Sequence, residues 1–249
     1  MTARESRATI ERVQQLSSRL QRIELGVPAS LARLRPGETL LARLSQDSWD
    51  PYLAEQWTPV ALNGKTVTVE RPISHRYTPG QVVTLLGPVG APFPMRYGLR
   101  NLLLIALDTP PTPLVLLASL AVRSQVEVTL VLGGSAQDYP LEALPREVEV
   151  LEGDLEQGWP NQVTTVGWAD QLVAVADPTY RDQLYQALMA RIHALRAEIP
   201  PRFMLGLFDQ PLPCGVGACQ GCGVSCKGGK DRLVCLDGPA IDLEDVNFA

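Results

Sequence analysis

The chain has 249 residues, of which 45% are hydrophobic and 20% charged, with a formal net charge of −5. That is material for two domains, or for one large domain with a small module, and it lacks the basic excess that a nucleic-acid partner would require. The longest apolar run, Leu114 to Val122, is too short for a membrane span, and the opening Met1-Thr2-Ala3-Arg4-Glu5-Ser6-Arg7 is no secretory signal. The expected address is the cytoplasm, where thiols stay reduced.

Residues 1–27 predict an amphipathic helix. Thr2 and Glu5 have capping-box spacing, Ile10, Val13, Leu16, Leu20 and Ile23 recur at three- and four-residue steps, and Gly26 and Pro28 supply a stop. Its apolar stripe would be buried on its own domain or on another subunit. From 28 to 97 the pattern changes to short strands, Thr39–Leu44, Val60–Leu62, Thr66–Glu70 and Gln81–Leu86, between prolines and glycines, as in a small antiparallel β-barrel.

Residues 98–205 alternate in the α/β manner. Leu102–Ala106, Val126–Leu132, Val148–Leu151 and Gln171–Ala176 read as strands, and Pro113–Val122, Leu141–Leu144 and Pro178–Arg196 as helices. Apolar strands separated by helices predict a parallel, Rossmann-like sheet. The fold class is therefore multidomain α+β, with residues 206–249 forming a further module. Gly133-Gly134-Ser135 follows a strand and reads as a loop or as the lining of a vestigial pocket.

All five cysteines lie in that last module. Cys214, Cys219 and Cys222 form a C-x4-C-x2-C run with Cys235 beyond it, the ligand spacing of a plant-type [2Fe–2S] cluster. Gly215, Gly217, Gly221 and Gly223 interleave the run and let the backbone wrap a bulky inorganic core. A hairpin from Gly223–Cys226 through Lys227-Gly228-Gly229-Lys230 to Arg232–Val234 would return Cys235 to the loop, and Asp237-Gly238-Pro239 would close the module. Cys226 competes for the fourth position, and Cys235 is favoured because loop plus returning strand closes more readily than four ligands crowded into one stretch. A zinc site would use paired short-gap cysteines, of which only Cys219 and Cys222 are present; disulfides are disfavoured by the odd count. GVGACQG lacks the preceding strand and the glycine spacing of a dinucleotide fingerprint.

Barrel, Rossmann-like sheet and C-terminal cluster module together resemble the electron-transfer subunit family of dihydroorotate dehydrogenase, within the ferredoxin-NADP reductase-like superfamily. CGVGACQGC with Val234-Cys235-Leu236-Asp237-Gly238-Pro239 is similar to that family's CGxGxCxxC and C-x-DGP elements. Pro36-Gly37, Asp50-Pro51-Tyr52-Leu53 and Gly87-Pro88-Val89-Gly90 resemble its PGQF, D-P-L-L and GPLG segments. The resemblance implies an iron–sulfur subunit that passes single electrons between a flavoprotein dehydrogenase or other redox subunit and an acceptor, in a hetero-oligomer, with no substrate chemistry and no catalytic residue of its own.

The chain departs from the family at both organic cofactors. An R-P-[FYL]-S motif should follow D-P-L-L and hold the flavin, yet Ala54-Glu55-Gln56-Trp57-Thr58-Pro59 stands there, so that a pyrophosphate would meet Glu55; a later G-x-G-T element falls on Arg71–Tyr77, which has no glycine. A glycine-rich turn after the first Rossmann strand is replaced by Ala106-Leu107-Asp108-Thr109-Pro110-Pro111-Thr112-Pro113, and a C-G-P element by Ala176-Asp177-Pro178. These changes weaken the case for FAD and count against NAD. The alternatives are a subunit that keeps FAD and NAD-linked transfer, and a non-redox docking protein shaped by zinc or by a cluster. His75 and His193 are expected to be solvated, and Trp49 and Trp57 to pack in a core.

Overall fold

The computed structural model describes residues 3–44 and 53–248. Thr2, Trp49 and Asp50-Pro51-Tyr52 of the motifs above lie outside the described residues. The helix expected over 1–27 is instead a β-hairpin of β1 (Arg4–Gln15) and β2 (Leu20–Gly26), paired antiparallel. Its turn is held by the Ser17 hydroxyl, which accepts from the amides of Arg19 and Leu20. Burial has period two, taking Ala8 and Ile10 on β1 and Gln21, Ile23 and Leu25 on β2. A bulge between Ile10 and Arg12 shifts the register, and the shifted alternation imitates three- and four-residue spacing.

Five further strands complete this sheet: β3 (Thr39–Arg43), β4 (Glu55–Trp57), β5 (Pro59–Asn63), β6 (Thr66–Pro72) and β7 (Val82–Val89). Their order is β4-β3-β7-β1-β2-β6-β5, with every pairing antiparallel. β4 at one edge runs through Thr58 directly into β5 at the other, so one chain segment nearly closes the sheet into a barrel. Trp57 is fully buried inside it.

The second sheet begins with β8 (Asn101–Leu107), α1 (Thr112–Arg123), β9 (Glu127–Gly133), β10 (Glu149–Gly153), α2 (Gln162–Trp168), β11 (Gln171–Ala176), α3 (Arg181–Leu195) and β12 (Met204–Leu207). The chain then forms a short hairpin of β13 (Gly223–Val224) and β14 (Arg232–Leu233) and one helical turn, α4 (Val234–Asp237). Finally β15 (Ala240–Asp242) pairs antiparallel with β12. The order β10-β9-β8-β11-β12-β15 is parallel up to β12. β8 and β11 are apolar along almost their whole length because helices and the barrel cover both faces. α1 is buried on more than one side, since it lies between β5 of the barrel and strands β9 and β11.

The C-terminal residues are built into the body of the protein. One apolar cluster unites Leu41 and Val89 of the barrel, Leu172 and Ala174 of β11, Phe208 and Leu212 of the loop after β12, and Cys222, Val224, Cys226, Val234 and Cys235. Tyr185 of α3 supports the strand that feeds this region. Its ring lies where a Cβ on Gly206 would stand, and its hydroxyl, a single donor, is 2.6 Å from Leu207 O and 3.1 Å from Ala174 O. Tyr185→Phe removes one buried hydrogen bond and is expected to cost about 1 kcal/mol. Thermal unfolding should show a midpoint lower by roughly 2–4 °C.

Candidate metal centre

Beyond β12 the chain turns back over the barrel. Gly215, at φ 66°, sits so close to β3 that a Cβ there would be 2.7 Å from Leu41 Cδ1, and Gly217, at φ 77°, would drive a Cβ into Leu236. These two positions require glycine. Gly221 and Gly223 do not adopt positive φ, so only half of the expected glycine pattern serves the bend.

The bend brings four of the five thiols into two pairs. Cys219 donates its amide to Cys214 Sγ at 3.5 Å, and Cys235 donates its amide to Cys222 Sγ at 3.5 Å. The pairs are joined by Gly217, whose amide points at Cys235 Sγ from 3.2 Å. Amides of Val216 and Cys219, with the Cys219 thiol, pull Cys214 down to about 6. Burial, with the neighbouring Cys222 thiol, pushes Cys235 up to about 12. Cys222 and Cys235 are buried, Cys214 is partly exposed and Cys219 is exposed.

Cys235 owes its position to the hairpin. Gly223 pairs with Leu233 and Val224 with Arg232, the Val234 amide reaches Cys222 O at 3.1 Å, and Asp237 Oδ2 accepts from the Leu233 amide at 3.0 Å. The barrel grips the same turn, with the Gly90 amide donating to Cys235 O at 3.0 Å and the Ala91 amide to Gly238 O at 2.5 Å. Cys226 is held elsewhere. It bridges to Val246, its thiol lies 3.6 Å from Val224 O, and burial raises it, with Arg232 opposing.

A cavity of about 220 Å³ lies at the seam of barrel and α/β half, lined by Gln56, Thr58, Glu70, Arg71, Thr112 and Pro178 among others. Glu55 does not face it as an unpaired charge. Its Oε2 accepts from Arg71 Nη2 at 2.7 Å, Trp57 Nε1 at 2.9 Å and Tyr77 OH at 3.3 Å. Arg71 opens Arg71-Pro72-Ile73-Ser74, which differs from R-P-[FYL]-S at its third position alone. It escapes a sequence reading because it follows Glu70 and not Leu53, and the barrel closure carries it back to Glu55. Glu70 is buried across the same seam and accepts from Arg22 Nε at 3.0 Å and Nη2 at 2.9 Å, Thr112 Oγ1 at 2.7 Å and Tyr139 OH at 2.8 Å. His75 and His193 are exposed, and His193 Nε2 lies 2.7 Å from Glu244 Oε1. Among the described residues, no helix is long and apolar enough to cross a membrane.

Residues 210–247 match the iron–sulfur cluster binding domain of dihydroorotate dehydrogenase B. Over 240 residues, the chain is 31% identical to the probable dihydroorotate dehydrogenase B (NAD(+)), electron transfer subunit, of Methanopyrus kandleri, covering 88% of this chain and 83% of that protein. It is 30% identical over 181 residues to the corresponding subunit of Shouchella clausii, covering 67% of this chain and 66% of the relative. In fold it is similar to a solved structure of the NADH-dependent reduced ferredoxin-NADP oxidoreductase, with TM-score 0.72, 18% identity, and 97% and 90% of the two chains covered. With a cluster-binding segment at its C-terminus and a relative matched along most of both chains, this protein belongs to the electron-transfer subunit family of dihydroorotate dehydrogenase B.

Proposed function

We propose that the chain carries single electrons through a [2Fe–2S] cluster held by Cys214, Cys219, Cys222 and Cys235. The observation that carries this reading is the grouping of four thiols into two pairs, Cys214 with Cys219 and Cys222 with Cys235. A two-iron cluster takes two thiolates on each iron. Zinc needs its four donors around one centre, at about 2.3 Å for sulfur, which is a different arrangement from two pairs. When bound, the cluster supplies one-electron transfer.

The residues around it would do the rest. Amides of Val216, Cys219 and Gly217 aim at the sulfurs and offset the excess negative charge of a thiolate-bound cluster. The inner pair is sealed from water by the apolar cluster that contains Cys222 and Cys235, while the outer pair opens to the surface. Val216 and Leu236, each about half exposed, flank that opening as apolar contacts for a protein partner. From the relatives' names, the partner is a catalytic subunit that oxidises dihydroorotate, so the working form is a hetero-oligomer in a reducing compartment such as the cytoplasm.

A second reading adds a flavin at the seam, favoured by the neutralisation of Glu55 by Arg71 and by the cavity beside them. At about 220 Å³ the cavity is below the usual range for a ligand of drug size. Gln56, Thr58 and Arg71 form its polar wall.

Anaerobic purification tests the main reading. The protein should be red-brown, bleach with dithionite and then give a rhombic paramagnetic signal; a colourless zinc protein would refute it. Acid release of a yellow fluorescent compound would establish the second reading. Cys226→Ser should leave the visible spectrum unchanged, whereas Cys235→Ser should abolish most of it. The reverse pattern would move the fourth ligand to Cys226.

A further inference from the structure

Doubly wound sheets bind nucleotides in the crevice outside the carboxyl ends of their strands, where the strand order reverses. Here the reversal lies between β8 and β11, with β9 and β10 laid down on one side and β12 on the other. The groups that would greet a nucleotide are the turns after β8, β9 and β11 and the start of α1. The chain's own carboxylates already occupy each of them.

After β9, the Ser135 amide donates to Asp108 Oδ1 at 3.2 Å, and Asp108 lies against Gly134 where a side chain would otherwise fit. Gly133-Gly134-Ser135 is therefore a loop closed by Asp108. After β11, Asp177 Oδ1 accepts from the Thr179 amide at 2.8 Å. At the start of α1, Pro111 and Pro113 have no amide hydrogen, and the Leu114 amide is spent on Pro111 O at 2.7 Å. The Thr112 hydroxyl is given to Glu70. Glu70 comes from the barrel and collects four donors from both halves of the molecule: two from Arg22, one from Thr112 and one from Tyr139. Arg22 also donates to Ala143 O at 3.1 Å, which ties β2 to the α/β half. Burial raises the Tyr139 phenol, and the Glu70 charge adds to the effect, so the hydroxyl stays protonated as a donor. Both arginines on this seam, Arg22 and Arg71, are already paired with carboxylates.

We infer that the nucleotide crevice of this chain has become an interdomain latch, in which the Glu70 carboxylate takes the place of a nucleotide phosphate, and that the chain binds neither NADH nor NADPH. An incoming phosphate would meet three carboxylates and no unspent positive charge from Arg22 or Arg71. Electrons then reach and leave the chain through proteins, not through a diffusible pyridine nucleotide. The loss of nucleotide binding rests on the α/β crevice alone, whereas the route of the electrons rests on the cluster proposed above.

Calorimetric titration of the full, anaerobically purified chain with NADH and with NADPH tests it. No saturable heat is expected up to about 1 mM, the upper end of ordinary substrate affinities. Dithionite, but not NADH, should bleach the visible bands. Saturable binding of either nucleotide, or NADH-dependent bleaching, would overturn the inference. A preparation without iron that also binds no nucleotide would refute the cluster and leave the inference intact. For the latch, Glu70→Ala strands Arg22 and Tyr139 at the seam and should lower the melting temperature by roughly 5–10 °C. Thr112→Val removes one donor and should give a smaller drop in the same direction, which keeps the test usable if the alanine variant does not fold. Unchanged melting in the variants would overturn the latch.

Discussion

The return of Cys235 to the three-cysteine bend is the constraint on which the rest depends. Residues 214–222 supply a glycine-bent loop with three of the four cysteines proposed as ligands, and the fourth has to come from elsewhere. The hairpin of β13 and β14 delivers it, and the barrel fixes it from the other side through the Gly90 amide on Cys235 O. Sulfur positions are therefore set by three parts of the molecule at once: the loop, the hairpin and the end of β7. Because the inner cysteines lie in the apolar cluster that also contains residues of β3, β7 and β11, moving the site would require repacking a core shared by both halves.

This shows why a barrel and a Rossmann-like sheet can persist however their connecting loops vary. Their strands bury apolar surface whatever the loops contain, and the metal centre needs both as walls. Glu70 and Glu55 show the same logic in polar form. Each is a carboxylate matched by an arginine from the chain, Arg22 for the first and Arg71 for the second. A buried carboxylate is tolerable only when paired and hydrogen-bonded, and Glu70 has four donors.

How much of this was legible in the sequence depends on distance along the chain. The spacing of Cys214, Cys219 and Cys222 is local and chemical, and it was readable directly; so were the apolar strands β8, β9 and β11. The N-terminal hairpin reads as a helix because the bulge at Ile10/Arg12 breaks the two-residue alternation that marks a strand, leaving Ile10, Val13, Leu16, Leu20 and Ile23 at helical spacing. Ser17-Ser18, in the middle of the supposed helix, was the available warning, since serine favours turns. β15 gives no signal in the sequence because three residues, Ala240–Asp242, carry no periodicity. The Glu70 cluster could not be read at all, as its partners lie 48, 42 and 69 residues away and meet only after both halves have folded.

If four thiolates hold two irons as one unit, native mass spectrometry of the anaerobically purified chain weighs that unit directly. The expected species carries two irons and two inorganic sulfides, lost together on acidification. A chain bearing one zinc, or a single iron without sulfide, would contradict it.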